Sequence, residues 1–569
     1  MAPPNPAPPA NHPHPANPWH TATVAGVRVD TRHWIGGERV ASVSAFASQG
    51  AAAFGGAAAS EGAAASEGAA ASESAAAAAT FTDRSPLDGT PLAEIARGGA
   101  EEARAAVAAA REAFPGWAAT PPAERARLLH AVADGVEARI EDLAAVETAD
   151  NGALLRSHRR GVMPRVAHNL RYFADRLLAL AHDDFETRGH TNHVSWDPAG
   201  PAVLITPWNA PLMLASWKIG PALAAGNTVV LKPAEWTPLT ASLFADIAHE
   251  AGLAAGVFNV VQGYGTEVGE ALVAEPDVRR ISFTGSVPTA RRIAATAGAR
   301  LVPCSFELGG KSPLLVFADA DPELAADLAV EQFDNAGQVC LAATRILVEE
   351  SARHAFLGHV LDRVTELTQG DPRDEATDIG PNIHPRHVER VDGFVRRALD
   401  AGAKAVIGGA RNTELGGNYY LPTLLTDVAQ DSEIVQEEVF GPVLTLQTFP
   451  DGDEDEAVRL ANDTRFGLAA TLVTGDRERA ARVGARLVAG TVWVNCFFVR
   501  DLSAPFGGSR DSGIGREGGD WSFDFYCDLK NTVTAPVGSP LVEGGRELGV
   551  GSPLVERSRE LGEGWGRHG

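Results

Sequence analysis

Four short β-rich runs, AVLITP (Ala202–Pro207), NTVVLKP (Asn227–Pro233), VFNVVQG (Val257–Gly263) and RRISFTG (Arg279–Gly285), each lead into a stretch of helical character. Strand and helix alternating at that spacing specify a parallel sheet with crossover helices. Such sheets bind ligands, dinucleotides among them, outside the carboxyl ends of their strands. A second α/β stretch runs from about Ser305 to Gly508. The expected fold class is α/β: two open-sheet domains with a cleft between them.

A chain of 569 residues exceeds what one hydrophobic core supports, so two or three packed units are expected. Helical spacing of apolar residues also covers Glu101–Ala113 and Ala123–Ala149. Three segments are expected to lie disordered outside the fold: a Pro-rich head, residues 1–22; an insertion at 45–80, where AAASEG repeats from Ala57; and a tail, 538–569, where GSPLVEGGRELGV is followed by GSPLVERSRELGE. A six-residue period keeps no helix face apolar, and Ala and Ser bury too little area to offset the entropy of ordering.

The formal net charge of −24 argues against nucleic acid or an anionic membrane as partner, since both call for basic patches. No run of 18 apolar residues is present, and the head lacks the basic start and apolar run of a secretory signal. The four cysteines are widely spaced with no CxxC pair, as expected of reduced thiols in a cytoplasmic protein. Cys340, in NAGQVCLAATR (Asn335–Arg345), has no Cys or His neighbour to suggest a metal. It stands open as a structural thiol or a nucleophile.

Other motifs offer it partners. In FTGSVPTA (Phe283–Ala290) a strand ends in Gly-Ser and feeds a helix, whose first N–H groups favour an anion. KPAE (Lys232–Glu235) lies past another strand end, with a donor and an acceptor for the two hydroxyls of a ribose. GYGTEVG (Gly263–Gly269) is a weaker glycine cluster. FELGGKSP (Phe306–Pro313) sets Glu307 beside an apolar residue and two glycines, where partial burial raises a carboxyl towards the range of a base. EEVFGPV (Glu437–Val443) supplies a second acid followed by an aromatic residue. PWNAP (Pro207–Pro211) places Asn209 beyond a strand end, where its amide can stabilise an oxyanion.

In the order PWN, KPAE, FTGS, ELGGKSP, GQVC, EEVFGP, PFGG, these motifs resemble the aldehyde dehydrogenase superfamily from HWIGGE (His33–Glu38) to LKNTV (Leu529–Val533), the Ala/Ser insertion excepted. The resemblance implies an NAD-binding domain (23–183 and 200–305), a catalytic domain (306–508), and a small β arm (184–199 and 529–537) for assembly as a homodimer or homotetramer. It implies Cys340 as nucleophile, Glu307 as the activator of water and Asn209 as oxyanion donor. Around NAD it implies Ile205, Thr206, Pro207 and Trp208, with Lys232 and Glu235 on the adenosine ribose and Ser286 near the pyrophosphate. Glu438 matches the acceptor for the nicotinamide ribose and Phe440 packs beside the ring; Gly265, Gly269, Phe283, Gly285 and Leu308 complete the cofactor set. A carboxylate at Glu235 repels a 2′-phosphate, which favours NAD over NADP. Ala290 stands where the family often has Gly and is expected to bring a methyl towards the phosphates.

VNCFFVRDLSAPFGGSRDSGIGREGG (Val494–Gly519) and VMPRVAHNLRYFAD (Val162–Asp175) resemble the branch acting on muconic semialdehydes. Within it the best match is to enzymes of 5-carboxymethyl-2-hydroxymuconate semialdehyde, in 4-hydroxyphenylacetate (homoprotocatechuate) breakdown. The 2-hydroxymuconic and 2-aminomuconic semialdehydes, and betaine aldehyde, remain open. Arg165 and Arg500 are candidates to grip a substrate carboxylate, since a guanidinium fork matches it bidentately; His168 is a candidate polar contact. The plain alternatives are a surface arginine at 165, a salt-bridge partner at 500 and an ordinary helix histidine at 168. Glu307 argues against relatives that pass the acyl group to CoA, which generally lack this base.

Overall fold

The computed structural model describes residues 20–42, 79–180 and 183–536. The tail, most of the head and nearly all of the insertion lie outside the described residues. Thr21 and Ala22, expected in the head, open the strand Thr21–Val24 instead, which pairs with Val27–Asp30 across a tight turn. Ala25 and Gly26 both have positive φ there, 50° and 82°, as a two-residue hairpin requires. Thr80, expected in the insertion, begins the strand Thr80–Arg84.

The first sheet has eight strands in the order Gly513–Ile514, Cys304–Leu308, Arg280–Gly285, Ala202–Ile205, Val229–Lys232, Phe258–Val260, His33–Ile35, Glu38–Val40. The five central strands are parallel, and the outer ones join antiparallel. Ala202–Ile205 and Val229–Lys232 are buried throughout, and apart from the terminal Lys232 they are continuous apolar runs, as strands covered on both faces are. Chain order reverses between Ala202–Ile205 and Arg280–Gly285, which pair directly. The segments leaving Ile205 and Gly285 therefore flank the crevice that opens at such a switch point.

The boundary expected at 305/306 is corrected. It falls inside Cys304–Leu308, which extends the first sheet by pairing with Arg280–Gly285, so Glu307 belongs to that sheet. The second sheet has seven strands: Lys404–Ile407, Thr423–Thr426, Val443–Phe449, Arg345–Glu349, Pro313–Val316, Ala469–Val473 and Thr491–Val494. All pair in parallel except the edge strand Lys404–Ile407. Both large sheets lie in one compact unit, which contains Trp196–Asp528. A second unit comprises, among the described residues, 183–195 and 529–536. Asp183–Thr187, His190–Pro198 and Cys527–Thr534 form a three-stranded sheet.

The helix expected over Ala123–Ala149 is two helices, Pro122–Ala138 and Ile140–Asn151. Arg139 leaves helical dihedrals (φ −119°, ψ 21°), and the second helix then ends at Gly152 in the left-handed conformation.

Candidate active site

The chain reaches Cys340 through an unusual turn. Asn335 (φ 48°), Ala336 (φ 54°) and Gly337 (φ 70°) are left-handed in succession. Two of them carry a β-carbon, a strain of about 1–3 kcal/mol each that persists only where the surroundings hold it. Here side-chain amides hold it. Asn335 Nδ2 donates to the Asn209 carbonyl (3.1 Å), Asn209 Nδ2 to the Gln338 carbonyl (3.0 Å), and Gln338 Nε2 to the Asn335 carbonyl (2.9 Å). Gly337 is required for packing as well, since a β-carbon there would lie 2.2 Å from the Gly441 carbonyl oxygen. Cys340 follows, half-buried, and its N–H donates to no backbone carbonyl among the described residues. Burial, then the carboxylates of Glu438 and Glu307, push its thiol up to about 12, against the opposing charge of Arg500.

Glu307 is 5% exposed and neither carboxylate oxygen has a hydrogen-bond partner. Burial first, and the charge of Glu517 second, hold it well above the usual carboxylate range. Cys340, Glu307, Asn209, Thr284, Glu517 and Arg500 all line one cavity.

Arg500 makes no salt bridge among the described residues, so the plain reading of it as a salt-bridge partner is replaced by a different finding. Its guanidinium carbon lies 3.6 Å from the centre of the Trp217 ring and 3.5 Å from that of Phe506. Desolvation lowers its pKa to about 9. Arg165 is half-buried, donates from Nη2 to the Arg500 carbonyl (3.5 Å), and lines an adjoining cavity with Arg156, Arg160 and Arg500. His168 is exposed.

At the switch point, Lys232 Nζ donates to Glu235 Oε2 at 3.1 Å. Thr206 N donates to the Lys232 carbonyl, holding the Ile205–Trp208 segment beside that strand end. Ser286 precedes the helix Val287–Gly298, and its hydroxyl meets Thr289 Oγ1 (3.0 Å) without capping the helix N–H groups. The expectation for Ala290 is corrected: it is 2% exposed in the core with Val287 and Ile293, because residues three apart share the helix face that packs on the sheet. Phe283 and Leu308 also send their side chains into that core. Gly285 passes under the Phe283 ring, where a β-carbon would come within 2.5 Å of it. Gly265–Gly269 form a single π turn whose Glu267 pairs with Arg97. Glu438 Oε1 accepts from Gly310 N (3.0 Å), and burial raises this carboxyl to about 7. Phe440 (φ 61°) meets Trp208 edge-on at 5.3 Å.

The sequence profile described as the aldehyde dehydrogenase family matches residues 73–532. The chain belongs to the aldehyde dehydrogenase family. It is similar to 2-hydroxymuconic semialdehyde dehydrogenase of Pseudomonas sp. (strain CF600), 43% identical over 466 residues, covering 79% of this chain and 95% of the relative. To 5-carboxymethyl-2-hydroxymuconate semialdehyde dehydrogenase of Escherichia coli it is 42% identical over 450 residues, covering 78% and 95%. A solved betaine aldehyde dehydrogenase from Staphylococcus aureus, in complex with NAD+, superposes with a TM-score of 0.81 at 34% identity, covering 90% of this chain and 96% of that one. Among the described residues, no helix of this aldehyde dehydrogenase is long and apolar enough to cross a membrane, and no group of three His, Cys, Asp or Glu is placed to hold a metal.

Reading the motifs alone passes over Lys218 and Glu517. Their side chains pair at 2.6 Å, and Lys218 Nζ also donates to Ser282 Oγ (2.9 Å). One signal was available. Lys218 is the lone charge in the otherwise apolar helix PLMLASWKIGPALAA, and a buried cation needs a partner. Glu517 and the Trp217–Phe506 pair carry no such local mark.

Proposed function

We propose that this aldehyde dehydrogenase oxidises a semialdehyde with a distal carboxylate to the acid, through a covalent intermediate on Cys340. The reading rests on one observation: Cys340, the unpartnered Glu307, Asn209 and the unpaired guanidinium of Arg500 line a single cavity. The Cys340 sulfur, once deprotonated, adds to the aldehyde carbon. The Asn209 amide, with one N–H not taken by Gln338, and the Cys340 N–H hold the resulting oxyanion. NAD is the cofactor and, when bound, accepts the hydride. Loss of that hydride leaves a thioester on Cys340. Glu307 takes a proton from water, the hydroxide adds to the thioester, and the Cys340 thiolate departs to release the acid.

The residues present suit NAD. Lys232 and Glu235 offer a donor and an acceptor for a ribose, the uncapped helix start after Ser286 favours a pyrophosphate, and Glu438 keeps one oxygen free of Gly310. Ile205–Trp208, Gly265, Gly269, Phe283, Gly285, Leu308 and Phe440 would complete the cradle, the buried Phe283 and Leu308 through their backbone. Glu235 disfavours a 2′-phosphate.

The substrate we assign is 5-carboxymethyl-2-hydroxymuconate semialdehyde, whose two carboxylates match two guanidiniums, Arg500 and Arg165, in adjoining cavities. 2-Hydroxymuconic semialdehyde, with one carboxylate, is the alternative. A panel of aldehydes with and without a distal carboxylate, assayed on wild type and Arg500→Ala, tests the anchor. The acid-to-neutral ratio of kcat/KM should fall at least about tenfold in the variant. An unchanged ratio removes the anchor. We further infer a cytoplasmic homodimer or homotetramer, since all four cysteines are free thiols and the three-stranded sheet exposes Phe185, Leu529 and Val533. Sedimentation of Leu529→Glu should show smaller species.

A further inference from the structure

Cys340 sits among groups that oppose its ionisation. It is half-buried in one cavity with Glu307, and the charges of Glu438 and Glu307 both disfavour its thiolate. The nearby cations are not equally available to it. Lys218 is paired with Glu517 and bonded to Ser282. Arg516 donates to the Gly508 and Gly515 carbonyls. Arg165 lines the adjoining cavity and not this one. Arg500 lines the same cavity as Cys340 and, among the described residues, meets no carboxylate.

The reason it remains unpaired is visible in its packing. The guanidinium carbon rests 3.6 Å from the Trp217 ring centre and 3.5 Å from that of Phe506, and the two rings stack on each other with centres 5.4 Å apart. A planar, delocalised cation accepts such a position without a counter-ion, whereas a compact ammonium does not. Held there and largely dry, its charge acts at lower effective dielectric than a solvated one.

We propose that Arg500, seated against Trp217 and Phe506, stabilises the Cys340 thiolate before any substrate arrives. It thereby offsets Glu307 and Glu438 and acts as a positioning charge for the nucleophile. This role goes beyond gripping a substrate acid and does not depend on it.

The test is the rate at which iodoacetamide alkylates Cys340 in the full chain, located by peptide mass spectrometry and followed against pH. Arg500→Gln should slow alkylation about tenfold near about pH 8 and displace the profile to higher pH. Arg500→Lys, which keeps the charge, should fall between that variant and wild type. Arg500→Met keeps an unbranched chain against the rings and should reproduce the Gln result if Arg500→Gln fails to fold. A wild-type profile in whichever of the Gln and Met variants folds overturns the proposal. The substrate panel and the alkylation profile fail separately. A displaced profile with an unchanged acid-to-neutral ratio keeps this role and removes the anchor. The reverse outcome keeps the anchor and removes this role.

Discussion

The Asn209 side chain donates to the Gln338 carbonyl at 3.0 Å, which ties the amide to the turn two residues before Cys340. In the proposed mechanism that amide is an oxyanion donor already fixed in place. Asn209→Ala should lower kcat by about 10²–10³. Steady-state kinetics and a thermal melt check this together. A fall in kcat of only a few fold, with the fold intact, would remove Asn209 from the oxyanion site.

The pH dependence follows from Glu307. Its folded pKa is raised above the unfolded value, so the stability it contributes is present at low pH and is lost as pH rises through the folded pKa. Turnover runs the other way, because only the ionised carboxylate can take a proton from water. Rates should therefore climb from neutral into alkaline pH. Glu307→Gln should melt at or above wild type on the alkaline side while giving a burst of NADH with little turnover. A variant that melts lower there, or that turns over freely, would contradict this.

Gly309 stands where a β-carbon would lie 2.0 Å from Glu438 Oε2. Gly309→Ala should displace Glu438 and raise the Kd for NAD about tenfold, through the ribose acceptor. Titration of the nucleotide by calorimetry reads this directly, and an unaltered Kd would separate Glu438 from the cofactor.

The buried Lys218–Glu517 pair makes a stability prediction. Lys218→Met leaves Glu517 uncompensated and should cost about 3–5 kcal/mol. Adding Glu517→Leu should restore much of that loss. Chemical denaturation of the two variants decides it, and additive losses would show that the pair is not coupled.

Glu235 should govern the choice of nucleotide. Glu235→Ser removes a carboxylate from the ribose position and should raise the NADP-to-NAD ratio of kcat/KM about tenfold. A ratio that stays at the wild-type value would place the discrimination elsewhere.

The central strands could be read because a strand buried on both faces shows as a continuous apolar run, as at Ala202–Ile205 and at the Val-Val-Leu that opens Val229–Lys232. The helix break at Arg139 could not, because the apolar spacing runs on across it and the nearest glycine, Gly135, lies inside the first helix and not at its end. The direction Ala290 faces is hidden for a related reason. A residue's letter says that it suits a helix, while the direction it faces depends on which side of that helix meets the sheet.

Local chemistry was legible to the same extent: a Gly-Ser pair where a strand feeds a helix, a lone lysine in an apolar helix. Each is imposed on a residue by its immediate neighbours along the chain. Partnership is not. Lys218 and Glu517 are 299 residues apart, and Arg500 rests against rings from two different segments. No short stretch of letters encodes such meetings, since the energy that joins these groups exists only after the sheets have formed and water has been driven from between them.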